Sequence, residues 1–168
     1  MIKKIILLLA FLTIPFTEKA DDIKLINLRN LYYKALVNKE DSEKFTQTTE
    51  KITGIDKKLL TGYLGVSWMI KANHAINPTY KLSYFLKGKA ILESAINSDP
   101  KNIELLYLRF CVQTNTPRFL NYNHNIQSDK NSITSQFALI TDLDLKKRIK
   151  EFMLQSKYCT VLDKKKFV

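Results

Sequence analysis

Residues 77–122 decide the fold, and they read NPTYKLSYFLKGKAILESAINSDPKNIELLYLRFCVQTNTPRFLNY. Each of the three prolines in this stretch follows a residue that can cap a helix, in the pairs Asn77-Pro78, Asp99-Pro100 and Thr116-Pro117. Asn, Asp and Thr side chains accept hydrogen bonds from the free N–H groups of a first helical turn, and proline fits the position after the cap. The stretch therefore predicts a series of short helices that begin at these three places.

Helical periodicity extends outward on both sides of this stretch. Apolar residues at helical spacing predict helices over 22–37, 56–76, 78–98, 100–113, 129–140 and 142–158, with a more polar surface helix over 40–53. Only four glycines are present, which argues against a β-sandwich with glycine turns. We predict an all-α fold, a helical bundle or short helix-turn-helix array of six or seven helices. It forms a single domain over 21–160, followed by a basic tail over 161–168 that frays.

Several local features of these helices can be predicted as well. Asp21 and Asp22 are expected to cap the first helix, and Lys89 is expected to pair with Glu93 four residues further on. The helix over 56–76 is the most apolar. Its apolar face contains Leu60, Leu64, Trp68 and Ala75 and is widened almost all round by Tyr63, Val66, Met69 and Ile70, which predicts a central helix. Gly62 and Gly65 each cost this helix about 1 kcal/mol relative to alanine, so we expect them to permit close approach of a neighbouring helix. In the helix over 142–158 the apolar stripe is Leu145, Ile149, Phe152 and Met153.

The first 20 residues, MIKKIILLLAFLTIPFTEKA, resemble a cleaved secretory signal peptide. Lys3 and Lys4 supply the positive start, and the apolar run from Ile5 to Ile14 is shorter than the roughly 20 residues that span a bilayer. Glu18 departs from the small residue preferred before the cleavage site, so a retained N-terminal anchor is the alternative. No cysteine follows the apolar run, which argues against a lipid anchor. We therefore expect an exported protein, periplasmic or extracellular.

The chain is strongly basic, with a net charge of +11 and a pI near 9.6. Removal of residues 1–20 leaves 24 basic and 15 acidic side chains, a net charge of +9. Outside the cytoplasm this excess favours an acidic protein or an anionic envelope surface over nucleic acid. Cys111 and Cys159 can form a disulfide in an oxidising compartment, although Cys111 lies in an apolar run and can equally be a small buried hydrophobe.

Part of the decisive stretch resembles the second half of a tetratricopeptide repeat. Gly88, Leu92, Ala95 and Pro100 occur at the spacings of the small residue, large apolar residue, alanine and proline of that repeat. The segment 64–68 looks like its first helix, with an expansion of 11 residues before Ala95, and no second copy recurs at a regular period. The resemblance implies one repeat-like helix pair inside a bundle. The whole of 77–122 also resembles a group of uncharacterised exported bacterial proteins, which implies export and a helical fold but no activity.

No catalytic or metal-binding motif occurs in the sequence. His74 and His124 are the only histidines, and neither belongs to an HxxxH, HExxH or CxxC arrangement. The former is expected to have a structural role at the end of its helix, and the latter to be a solvated loop residue. GxSxG is absent as well. We therefore expect no enzyme activity, no metal and no cofactor.

Arg109 and Gln113 are unusual because they lie four apart on an otherwise apolar helix. One interpretation is a polar clamp to the carbonyl groups of the following turn. The other is that Arg109 binds a carboxylate of a peptide or small ligand in a groove formed with the 78–98 helix. On this second hypothesis the tentative binding residues are Lys81, Tyr84, Lys87, Arg109 and Gln113.

Aromatic residues concentrate around the same helix pair. Those that stay exposed beside the lysines would form a protein-binding patch, because aromatic and basic residues together favour interfaces. They are Tyr80, Tyr84, Phe85, Phe119 and Tyr122.

The sequence leads to two hypotheses of different class. The first is a non-catalytic adaptor or scaffold whose helical groove holds a protein or peptide partner. The lysines and Arg109 would favour an acidic partner. The alternative is an envelope-surface protein that binds anionic lipid or polysaccharide through its basic C-terminal helix. Salt dependence separates them, since a groove-bound partner should partly survive salt that removes a surface-bound protein.

Overall fold

The computed structural model describes residues 16–168, and there the chain is all-α, as predicted. It has eight α-helices: α1 (Phe16–Val37), α2 (Lys39–Lys51), α3 (Lys57–His74), α4 (Pro78–Ser98), α5 (Ile103–Asn115), α6 (Ile126–Gln136), α7 (Leu143–Gln155) and α8 (Val161–Lys165). Two 3-10 turns, Arg118–Leu120 and Phe137–Leu139, complete it, and no strand occurs between residues 16 and 168. None of the described helices is long and apolar enough to cross a bilayer. The basic start and apolar run of the expected signal peptide lie outside the described residues.

Only one of the three predicted proline-linked caps is present. The Asn77 side chain accepts hydrogen bonds from the first turn of α4, as expected. The other two predictions are wrong, because Asp99 and Thr116 end α4 and α5 instead of beginning the next helix. The cap of α5 is Asn102, whose side chain accepts from two backbone N–H groups. Similarly, Asp21 and Asp22 lie inside α1, which starts at Phe16.

Helix α2 lies at the surface, as its polar sequence predicts, but one of its faces is buried in the core. Its Phe45 is fully buried, and the ring lies 6.3 Å from that of Tyr63 on α3. Two of its threonines are also buried, and they satisfy their hydroxyl groups by donating to carbonyl oxygens one turn earlier. One large side chain is therefore enough to place α2 between α1 and α3.

Close packing of α3 against α4 depends on glycine, as predicted for Gly65. A Cβ atom on Gly65 would lie 2.9 Å from the carbonyl oxygen of Gly88, and one on Gly88 would lie 2.5 Å from the carbonyl oxygen of Gly65. Helix α3 is central, as predicted, and Tyr63, Val66 and Met69 form the face that enters the core. Trp68, on the other part of the predicted apolar surface, is only half-buried.

A buried ion-pair network joins α1 to α5 and to the start of α7. Arg29 is 2% exposed, and its guanidinium donates two hydrogen bonds of 2.7 Å to the carboxylate of Glu104. It also lies 2.8 Å from Asp142 and 3.0 Å from Asp144. Burial lowers the pKa of Arg29, but its bonds to these carboxylates outweigh that effect and raise it. The charge therefore persists inside the fold.

The C-terminal segment is ordered, which corrects the prediction of a frayed tail. The α7 stripe of Leu145, Ile149 and Met153 is buried in the core. Residues 161–165 then form α8, capped by Thr160, and Phe167 is fully buried with its ring 4.7 Å from that of Phe137. Both cysteines are free and buried, and they do not form a disulfide.

Candidate binding groove

A large apolar groove opens between α1, α3, α4 and α5. Its volume is about 800 Å³, within the range of roughly 300–1,000 Å³ that is usual for ligand sites. The 3-10 turn after α5 and a side chain of α7 contribute to its wall. The lining residues are Tyr32, Tyr33, Leu36, Val66, Met69, Ile70, Ala72, Asn73, Pro78, Lys81, Leu82, Phe85, Cys111, Val112, Asn115, Thr116, Pro117, Phe119, Leu120 and Phe152.

Local sequence signals position two walls of the groove. The cap at Asn77 starts α4 immediately after α3, which brings Leu82 of α4 beside Met69 of α3 at the groove. A second wall follows α5. Pro117 lies just after the end of that helix and directly before the 3-10 turn that contains the groove residue Phe119. Asn121 ends that turn in a left-handed conformation, with φ of 48°, which asparagine tolerates better than most residues.

His74 helps to hold the α1 wall in place. Its Nε2 atom lies 2.7 Å from the backbone carbonyl oxygen of Ala35, next to the groove residue Leu36. The link joins the last turn of α3 to the last turns of α1. His74 therefore has a structural contact, whereas His124 is exposed in its loop.

The rim of the groove is apolar and open to solvent. Leu36 is 41% exposed, Leu82 is 47% exposed and Phe119 is 84% exposed, and they come from three different elements. The inner wall is closed, because Val66, Phe85 and Cys111 are buried. The groove is thus an open cleft with a buried apolar floor. Its exposed rim adds apolar surface outside the cavity.

The groove has one charged lining residue, Lys81, and no acidic one. Three of its polar side chains already hydrogen-bond within the fold. The Tyr33 hydroxyl lies 2.9 Å from that of Tyr107, Asn115 donates to the carbonyl oxygen of Cys111, and Thr116 donates to that of Val112. An occupant would therefore meet a mainly apolar surface with one positive charge at its edge.

Burial suppresses ionisation along the floor of the groove. It raises the pKa of the Cys111 thiol and, well above its ordinary value, the pKa of the Tyr32 hydroxyl. It also raises the pKa of Tyr33, although hydrogen bonding to Tyr107 opposes the shift. All three groups are therefore neutral at physiological pH.

Arg109 does not face the groove, so the hypothesis that it binds a ligand carboxylate needs correction. Its Nε and Nη2 atoms each lie 2.7 Å from a carboxylate oxygen of Asp129, and its Nη1 atom lies 2.8 Å from Glu93. Glu93 also accepts from the Tyr122 hydroxyl at 2.5 Å and does not pair with Lys89 as predicted. The guanidinium of this α5 residue is therefore held by carboxylates of α4 and α6, and it links the three helices.

Gln113 also has an internal role. It is 1% exposed, its Oε1 atom accepts from the backbone N–H of Asn125, and its Nε2 atom donates to the side chain of that residue. The predicted clamp thus exists, but it joins α5 to the start of α6 and not to the turn carbonyl groups. Of the five predicted binding residues, Lys81 alone lines the groove.

Tyr84 and Lys87 lie in a separate aromatic cluster on the outer surface of α3 and α4. The rings of Tyr84 and Trp68 are 5.4 Å apart, and Tyr80 stacks on Tyr84 at 6.1 Å. The Lys87 ammonium lies 3.3 Å above the Trp68 ring, a cation–π contact. Tyr80 is exposed, whereas Phe85 and Tyr122 of the predicted aromatic patch are buried.

The sequence indicates one residue of the rim, Phe119, as a member of the predicted aromatic binding patch, but it does not indicate the other two, Leu36 and Leu82. No periodicity marks the three as neighbours, since they are separated by 46 and 37 residues. The one local signal is Phe119 itself, a large apolar residue in a polar turn next to proline.

Comparisons with known proteins add no constraint. No protein-family model matches the chain, and neither a curated protein nor a solved structure matches it. Within residues 16–168, no group of three His, Cys, Asp or Glu side chains comes together to hold a metal ion.

Proposed function

We propose that this protein is an exported, non-catalytic interaction module whose groove between α1, α3, α4 and α5 holds a segment of a partner protein. The observation that carries the proposal is the apolar rim of Leu36, Leu82 and Phe119 above a closed apolar floor. Exposed apolar residues that converge on one concavity are typical of protein-binding grooves. The role agrees with the tetratricopeptide-like resemblance and with the signal-like first 20 residues.

A protein partner explains the exposed part of the rim better than a small ligand does. A small apolar molecule would be satisfied by the buried floor, and Phe119 at 84% exposure would still face water. A macromolecular segment extends past the floor and covers the rim. Burial of exposed aromatic side chains typically supplies much of the affinity of such interfaces.

The experiment is capture of partners from mildly cross-linked envelope of the native host, washed at low and high salt. We expect one near-stoichiometric protein that resists high salt and is lost with Phe119→Asp. The matched control is Leu139→Asp, since Leu139 is a similarly exposed apolar residue, at 79%, that does not line the groove. Equal capture by the parent and both variants would contradict binding at the groove.

Attachment to an anionic envelope surface is a second candidate, favoured by a different observation. Leu139 and Leu143 are each 79% exposed, at the junction before the basic helix α7. Apolar residues beside lysines are typical of proteins that lie on anionic membranes. In liposome flotation this candidate requires stronger recovery with anionic than with neutral lipid, and loss of recovery with Leu139→Asp but not with Phe119→Asp. Equal recovery with both lipids would exclude it.

A further inference from the structure

We infer that the occupant of the groove is an amphipathic α-helical segment that carries a carboxylate for Lys81. The inference rests on the proposed function and specifies the partner. It follows from three properties of the groove: the few hydrogen-bonding groups it offers, the sign of its charge, and the shape of its rim.

The shortage of hydrogen-bonding groups favours a helix over an extended peptide. An extended chain in a groove leaves its backbone N–H and C=O groups to be satisfied by the receptor, and an unpaired buried one costs about 1–3 kcal/mol. Tyr33, Asn115 and Thr116 already hydrogen-bond within the fold, which leaves mainly Asn73 and Lys81 for an occupant. No strand edge is present in the described part of the chain to pair with a peptide backbone. A helix satisfies its own backbone and presents only side chains.

The charge of the groove favours an acidic segment. Lys81 is the one charged residue among those that line it, and no aspartate or glutamate opposes it. Without residues 1–20 the chain still carries a net charge of +9, so its long-range field also attracts an acidic partner. A carboxylate one turn from the apolar anchors would lie near the Lys81 ammonium without entering the apolar floor.

The shape of the rim matches a helix stripe. Leu36, Leu82 and Phe119 come from α1, α4 and the 3-10 turn, so three separate elements contribute apolar side chains to the rim. A helix that places large apolar residues at i, i+4 and i+7 into the floor contacts walls on both sides at once. A single acyl chain could fill the floor, but it would leave the rim residues in water.

The test uses fluorescence anisotropy with the purified protein and three synthetic peptides. The first has leucines at i, i+4 and i+7 of a helix and glutamates on the flanks; the second has lysines in place of the glutamates. The third has the composition of the first plus two central prolines, which prevent helix formation. We expect binding by the first, at least about tenfold weaker binding by the second, and none by the third.

Charge-reversal variants locate the contact. Lys81→Glu should weaken binding of the acidic peptide about three- to tenfold, whereas Lys101→Glu, the same change at an exposed lysine outside the groove, should leave it unchanged. Equal binding of the acidic and basic peptides, or of the proline peptide and the first, would overturn the inference. Full displacement of the acidic peptide by palmitate together with Phe119-independent peptide binding would overturn it in favour of a lipid ligand.

Failure of the inference and failure of the proposed function are distinguishable. If the native partner is lost with Phe119→Asp but the peptides show no preference for acid or helix, the function stands and the inference fails. If Phe119→Asp leaves capture of the native partner unchanged, the groove is not the interface and the proposed function fails as well.

Discussion

Gly65 and Gly88 meet backbone to backbone where α3 crosses α4. A Cβ atom added to Gly65 would come within 2.6 Å of the backbone nitrogen of Leu92, which is rigid main chain and cannot rotate away. The crossing sets the separation of the two helices that form one side of the groove. Both the stability of the fold and the shape of the groove therefore depend on these two glycines.

Substitution of Gly65 by alanine should destabilise the protein by about 2 kcal/mol, because overpacking against backbone outweighs the gain of about 1 kcal/mol in helix propensity. Urea unfolding followed by circular dichroism measures the change. Ser94→Ala, on the exposed face of α4, should stay within about 0.5 kcal/mol of the parent. An unfolding midpoint for Gly65→Ala at or above that of the parent would contradict the close crossing.

Removal of one partner of the buried network should be costly. Arg29→Met leaves the Glu104 carboxylate buried without its arginine, and we expect a loss of about 3–5 kcal/mol in the free energy of unfolding. The double variant Arg29→Met/Glu104→Gln removes both charges and retains an acceptor for the Tyr63 hydroxyl. It should be more stable than Arg29→Met alone. A double variant as unstable as the sum of the two single variants would show that the pair is not coupled.

Asp163 should contribute a pH-dependent part of the stability. The hydrogen bond from the Lys130 ammonium, at 2.8 Å, together with the Thr160 backbone N–H, lowers the pKa of Asp163 to about 2. A carboxylate whose pKa is lowered by folding stabilises the protein above its unfolded pKa of about 4, and that stabilisation is lost as the pH falls towards 2. The difference in unfolding free energy between the parent and Asp163→Asn should therefore be largest above pH 4 and should narrow on acidification. A difference that is constant from pH 6 to pH 2 would contradict the prediction.

Removal of the Phe167 side chain should destabilise the fold, although this residue is the last but one of the sequence. Phe167 is fully buried against Phe137, and Phe167→Ala should cost about 3 kcal/mol or more. Val168→Ala is the matched control, because Val168 is 92% exposed. Thermal unfolding compares the two. Equal thermal unfolding midpoints for both variants would indicate that the tail is frayed, as the sequence predicts.

The all-α fold class was predictable from the sequence, because helical periodicity and helix capping depend only on residues that are close together in the chain. Asn77 shows this well, since its side chain and the proline after it act within one turn. The errors arose where two local signals competed. At Asp99-Pro100 the proline lies in a turn, and Asn102 two residues later has the better position to cap α5.

Long-range partners could not be predicted from the sequence. Arg109 was correctly singled out as unusual on an apolar helix, but nothing in the sequence indicates that Asp129 and Glu93 bind it. The same contact explains why the local rule failed for Lys89 and Glu93, because a buried arginine outcompetes a half-buried lysine for the carboxylate. Phe45 is a similar case, since nothing in the sequence indicates that its ring packs against Tyr63 of α3.

The position of Cys111 has a consequence for the reactivity of its thiol. Cys111 lines the groove, whereas Cys159 is buried and does not line it. Any molecule seated in the groove would shield the first thiol from small oxidants and alkylating reagents and leave the second as an internal reference. The empty and occupied states of the groove should therefore differ in the rate at which the Cys111 thiol is modified, whereas the rate at Cys159 should stay the same.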